Sequence, residues 1–112
     1  WIYEAERRNV EGLIMNPAGF LFAGYALREC LKSISLPYIE VHMTNIDRRG
    51  MHSVTACEAS GMITGLDIES YLLALSAMRQ LLKKIIRLRP LSRCITPPEK
   101  NPQTWPITVK LF

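Results

Sequence analysis

Three short apolar runs closed by turn residues, with amphipathic stretches between and after them, constrain this chain more than any other feature. Residues 12–16 (GLIMN) end on Asn16-Pro17, residues 37–43 (PYIEVHM) open on Pro37, and residues 61–65 (GMITG) are flanked by glycines. Each reads as a strand, the second with its proline at the first position, where a missing N–H is tolerated. Between the first two, residues 24–33 read as helix, with Leu27, Cys30, Leu31 and Ile34 forming an apolar stripe. After the third, Asp67 is a candidate N-cap and Glu69 suits the first turn of a long helix that runs to about Leu88 and stops before Pro90. Strand, helix, strand, polar loop (residues 44–53), strand, helix is the rhythm of a parallel sheet covered on both faces.

Two further segments flank this unit. Residues 1–8 (WIYEAERR) read as a helix with Trp1, Ile2 and Ala5 on one face. From Pro90 onward, Pro97, Pro98, Pro102 and Pro106 make the chain extended, and residues 107–112 (ITVKLF) alternate like a half-buried strand.

At 112 residues, 48% apolar and 21% charged, the chain is one globular domain with a modest core, and disorder throughout is excluded. Its net charge of +4 permits an anionic partner without requiring one. Cys30, Cys57 and Cys94 are odd in number and form no CxxC pair, so neither a zinc site nor a disulfide framework is expected. Free thiols fit a reducing intracellular compartment, cytoplasm or organelle matrix. No run approaches the roughly 18 apolar residues of a membrane-spanning helix, so a transmembrane segment is not expected. His42, His52 and Asp47 match no metal-ligand spacing. Arg79, Lys83, Lys84, Arg87, Arg89 and Arg93 are interleaved with Leu81, Leu82, Ile85, Ile86 and Leu88. They read first as a solvated face of a core helix, and second as a contact surface for RNA, anionic lipid or an acidic protein.

Strand endings are where α/β proteins hold ligands. Read in order, GLIMNPAGF, YALRECL, LPYIEVHMTNI, HSVTACEASGMITGL and YLLAL resemble the C-terminal part of the type II 3-dehydroquinate dehydratases. That family has a strand ending in Asn-Pro-Gly, an Ala-Leu-Arg-Asp helix, a Glu-Val-His-(Leu/Ile)-Ser-Asn strand and a Gly-Val-Ile-x-Gly strand; Trp1-Ile2 is similar to a Trp-Ile in its preceding helix. The resemblance implies a flavodoxin-like three-layer α/β unit with a short parallel sheet, truncated at the N-terminus. It also implies dehydration of 3-dehydroquinate to 3-dehydroshikimate without metal or cofactor, and a homo-oligomer or a place in a larger complex.

Carried over residue by residue, the resemblance makes Asn16 and His42 the catalytic candidates. Asn16 orients a water near the developing enolate, and His42 acts on the substrate hydroxyl. Met43 and Thr44 hold the substrate carboxylate, so Asn16, His42, Met43 and Thr44 are the binding candidates. Other positions depart from the pattern. The family's base, a tyrosine on an arginine-containing lid, would precede Trp1, and Tyr3, Tyr25, Tyr38 and Tyr71 lie outside its motif. Phe22 stands where the family has a histidine, Glu29 where it has an aspartate, and Met51 where it has a substrate-holding arginine that only a slide of Arg48 or Arg49 would restore. The loop after Asn45 is also shorter than the family's.

An elimination needs a base for the carbon acid, an acid for the leaving hydroxyl and stabilisation of an enolate. The expectation is therefore a dehydroquinase-like domain over residues 1–89 with a proline-rich extension over residues 90–112, inactive as the chain stands. The alternative is a non-catalytic subunit of a larger assembly that uses the basic helix and tail as contacts. Without a first strand, residues 12–16 would form an open sheet edge, which the tail is expected to help cover.

Overall fold

The structure, a computed structural model, describes residues 1–88 and the backbone of Val109–Leu111. The expectations for Arg89, Arg93, Cys94 and Trp105, and for most of the extension over residues 90–112, fall outside the described residues.

Helix α1 (Ile2–Arg7) leads into strand β1 (Gly12–Met15). A short helix α2 (Phe20–Ala23) and helix α3 (Tyr25–Ser33) follow, then strands β2 (Tyr38–His42) and β3 (Gly61–Thr64), helix α4 (Glu69–Leu88) and strand β4 (Val109–Leu111). The sheet order is β3-β2-β1-β4 and every neighbouring pair is parallel. The alternation of side chains along β1 and β2 divides the core into two layers. Leu13, Met15 and Tyr38 pack with Ala5, Val10 and Leu31 beneath α1 and α3, with Leu27 and Ile34 of the expected stripe joining them. Ile14, Ile39 and Val41 face the other way, onto Ala74, Met78 and Leu82 of α4. This is the expected three-layer α/β arrangement, and β1 and β2 are buried along their whole length.

Three local details differ from the sequence reading. The stretch after the Asn16-Pro17 turn forms α2, which the sequence reading did not include, and Gly24, whose N–H bonds to the Phe20 carbonyl at 2.7 Å, separates it from α3. A Cβ at Gly24 would run into that same carbonyl, so the close turn requires glycine. The polar loop contains a 3-10 turn over Asp47–Arg49. Asp67 does not cap α4 with its side chain. It sits at φ +50°, and the Ser70 hydroxyl accepts the Leu66 N–H at 3.2 Å instead.

The expected open edge at β1 is closed. Gly12, Leu13 and Ile14 pair with Val109, Lys110 and Leu111, so β4 takes the position beside β1 that the flavodoxin-like strand order gives to that fold's first strand. β3 is one terminal strand of the sheet, and its Met62 is 41% accessible.

Candidate functional site

In β2 the sequence Tyr-Ile-Glu-Val-His places residues of like kind two apart. Tyr38, Glu40 and His42 share one face, while Ile39 and Val41 serve the α4 core. Glu40 is 0% accessible. Its carboxylate accepts the Tyr38 hydroxyl at 2.8 Å, His42 Nε2 at 2.7 Å and the Thr55 hydroxyl at 2.7 Å. The Thr55 proton is thereby committed, so the Ser53 hydroxyl, 3.0 Å away, donates to Thr55 Oγ1. A carboxylate buried without such partners would cost several kcal/mol. Burial alone pushes the Glu40 carboxyl up, but the hydrogen bonds it accepts from His42, Thr55 and Tyr38 outweigh it and hold the group below its ordinary value. Burial, reinforced by the hydrogen bond to Glu40 and its charge, drives the Tyr38 phenol far above its usual range. Tyr38 is thus a fixed donor and no base.

An ionised carboxylate can only accept, so His42 carries its proton on Nε2. Its ring orientation is fixed, and Nδ1 is the nitrogen left for the cavity beside it. That cavity, about 330 Å³, opens at the C-terminal ends of β1 and β2. Asn16, His42, Met43 and Thr44 all line it. The backbone that carries them is tied down on both sides. Asn16 Oδ1 accepts the Ala18 N–H at 2.9 Å, a turn that puts Ala18 at φ +47° and leaves the Asn16 amide NH₂ as its free donor group. Beyond β2, the His42 and Met43 carbonyls accept the N–H groups of Gly65 and Asp67 at 3.1 and 2.9 Å.

Phe22 and Met51 also line the cavity, so two of the substituted positions contribute apolar wall. Arg49 lines it too, and its Nη1 donates to Thr44 Oγ1 at 3.2 Å. Arg48 does not line the cavity; its N–H bonds to Asn45 Oδ1. Glu29 is exposed on α3, outside the lining. His52 and Asp47 lie 4.0 Å apart on the surface, away from His42, and among the described residues no three His, Cys, Asp or Glu side chains could hold a metal ion. Arg79, Lys83, Lys84 and Arg87 are exposed on α4, opposite its core residues. No described helix is long and apolar enough to cross a membrane.

The sequence reading missed the buried partners of His42. Glu40 stood inside the Glu-Val-His motif without a role, and Tyr38, Ser53 and Thr55 were given none. The signal available was the spacing itself: polar groups at 38, 40 and 42 between Ile39 and Val41 on a strand bound for the centre of a sheet.

Comparison with known proteins gives a consistent result. The family model described as Dehydroquinase class II matches residues 1–79. A 3-dehydroquinate dehydratase of Halalkalibacterium halodurans is 44% identical over 87 residues, covering 75% of this chain and 59% of that protein. One of Bacillus cereus is 43% identical over 86 residues, covering 74% and 58%. The chain thus spans less than three fifths of these curated relatives. Among solved structures, the type II dehydroquinase of Butyrivibrio crossotus superposes with a TM-score of 0.66 at 30% identity, over 70% of this chain and 57% of that one. That of Propionibacterium acnes gives 0.64 at 33% identity, over 71% and 60%.

Proposed function

The chain belongs to the class II dehydroquinase family, and from that premise we propose that its cavity is the carboxylate-holding part of a 3-dehydroquinate dehydratase site, without turnover as these 112 residues stand. The observation that carries this reading is the pairing of His42 with buried Glu40 beside Asn16 and Thr44, in a cavity whose lining contains no tyrosine. In the elimination a base removes the proton next to the ketone, the ring carbon–oxygen bond breaks, and the hydroxyl leaves as water with a proton from an acid. His42 suits the acid's part: its ring is held by the hydrogen bond to Glu40, and Nδ1 is the nitrogen that this bond leaves unengaged. The Asn16 amide can donate toward the enolate oxygen, and Thr44 toward the substrate carboxylate. Among the described residues no tyrosine is placed to act as the carbon base. Tyr38 is committed to Glu40, and Tyr3, Tyr25 and Tyr71 lie away from the cavity.

The test is to supply 3-dehydroquinate to the isolated chain and follow the ultraviolet absorbance of the conjugated product. Loss of a general base predicts a rate at least about 10²-fold below an ordinary family member, and turnover within about tenfold would overturn the reading. One observation favours a second reading, a non-catalytic subunit. Leu72 and Leu75 of α4 are 59% and 37% accessible beside Arg79 and Lys83, an apolar and basic strip suited to contact.

A further inference from the structure

Helix α4 carries two stripes. Ser70, Ala74, Met78 and Leu82 recur every four residues and are buried on the sheet side. Leu72, Leu75, Arg79, Lys83 and Ile86 recur at intervals of three and four, so they share a second face. All five are exposed, Leu72 and Ile86 by 59% and 55%. Arg87 and Lys84 follow around the helix and are exposed as well. None of these four cations has an ion-pair partner among the described residues. The sequence holds no Asp or Glu from Ser70 to Pro98, so nothing along the helix neutralises them. Exposed apolar side chains gathered on one face mark a contact surface, and unopposed positive charge among them selects an anionic partner.

We propose that this outer stripe of α4 docks the protein on a bilayer surface that carries anionic lipid. The helix is not apolar enough to cross a bilayer, so it would lie along the interface. Leu72, Leu75 and Ile86 enter the headgroup boundary with the methylene stems of Arg79 and Lys83, whose charged ends stay among the lipid phosphates. Each basic residue held near such a surface strengthens binding by about fivefold. Other anionic partners fit the stripe less well. Among the described residues α4 alone packs on Ile14, Ile39 and Val41, so its outer side is a ridge, whereas a partner helix needs a groove to receive its apolar face. The stripe has no aromatic side chain on which RNA bases could stack. A second copy docked symmetrically about the middle of the stripe would set Arg79 against its own counterpart. A lipid surface is soft and continuous, and asks for neither a groove nor a matching set of acids. None of the stripe residues lines the cavity beside His42, so the outcome is independent of the dehydratase reading.

The experiment sediments the full chain with vesicles of phosphatidylcholine alone and with vesicles containing about 30% phosphatidylserine. Both are repeated with the double variants Leu72→Ser/Leu75→Ser and Arg79→Gln/Lys83→Gln. All four positions are exposed, so both variants should fold, which thermal unfolding verifies. The parent is expected to bind the phosphatidylserine vesicles at least about tenfold more tightly than phosphatidylcholine alone, and each double variant to lose about tenfold or more. Raising the salt from about 50 to 500 mM should weaken the parent and leave less to lose in the charge variant. If phosphatidylserine changes binding by less than about twofold, or if either double variant binds within about twofold of the parent, the proposal is overturned. Release of the bound chain by polyglutamate or by an RNA homopolymer at equal charge would overturn it in favour of an acidic protein or RNA. Sedimentation without vesicles tests the second copy: a dimer that Leu72→Ser/Leu75→Ser dissociates would assign the stripe to self-association and overturn it too.

Discussion

Glu40 couples ionisation to folding more directly than any other described side chain, because it is fully buried and its hydrogen bonds hold its carboxyl below the ordinary value of 4.5. Between the lower folded value and 4.5 the unfolded chain binds more protons, so stability rises with pH across that window. The contribution of Glu40 is therefore complete above about pH 4.5 and is lost as pH falls through the folded value. Glu40→Gln should flatten this acid-side slope and cost about 1–3 kcal/mol near neutrality, since an amide keeps one acceptor oxygen where Tyr38, Thr55 and His42 used two, and loses the charge. Urea unfolding of both proteins from pH 3 to pH 7 measures it; equal slopes would show that Glu40 is not the group that titrates. The resemblance made His42 legible at this scale. The network beneath it was not, because Thr55 is fifteen positions from Glu40 and reaches it only once the loop after β2 has folded back.

The packing of α4 on the sheet rests on the absence of one side chain. A Cβ at Gly12 would lie 2.5 Å from Met78 Sδ, and Met78 is 0% accessible, so its thioether has nowhere to retreat. Gly12→Ala should destabilise the protein by about 1–3 kcal/mol through overpacking. Met78→Ala should cost about 2–5 kcal/mol through a cavity. The double variant should cost less than the sum by at least about 0.5 kcal/mol, because each change relieves the other. Strict additivity in chemical denaturation would contradict the close approach. The elements themselves were legible in the sequence. Each expected strand and helix of the central unit is present, shifted at its ends by a residue or two, because periodic burial and turn residues act locally. Helix α2 was missed: its four residues, Phe-Leu-Phe-Ala, bury only Leu21 and are too short to show a period.

At the scale of the whole molecule, the pairing of β4 with β1 sets the limits of the sheet. Removing residues 104–112 would expose the N–H and C=O groups of a strand buried along both faces, at about 1–3 kcal/mol for each group left unsatisfied. The truncated chain should therefore unfold at lower temperature and scatter as a larger or less soluble species. A truncated chain with unchanged molar mass and melting temperature would show that the edge needs no cover. The amino-acid sequence by itself determined the parallel α/β class, the two-layered core and the positions of Asn16, His42, Met43 and Thr44 at strand ends. Those follow from side-chain periodicity and from the residues that end each strand, both properties of neighbours in the chain. Only the tertiary structure decided that Val109–Leu111 lie parallel beside β1, that three donors converge on Glu40, and that Arg49 rather than Met51 brings positive charge to the cavity. Each of these depends on where loops and termini return in space, and burial makes such long-range polar pairs obligatory without the local sequence naming the partner.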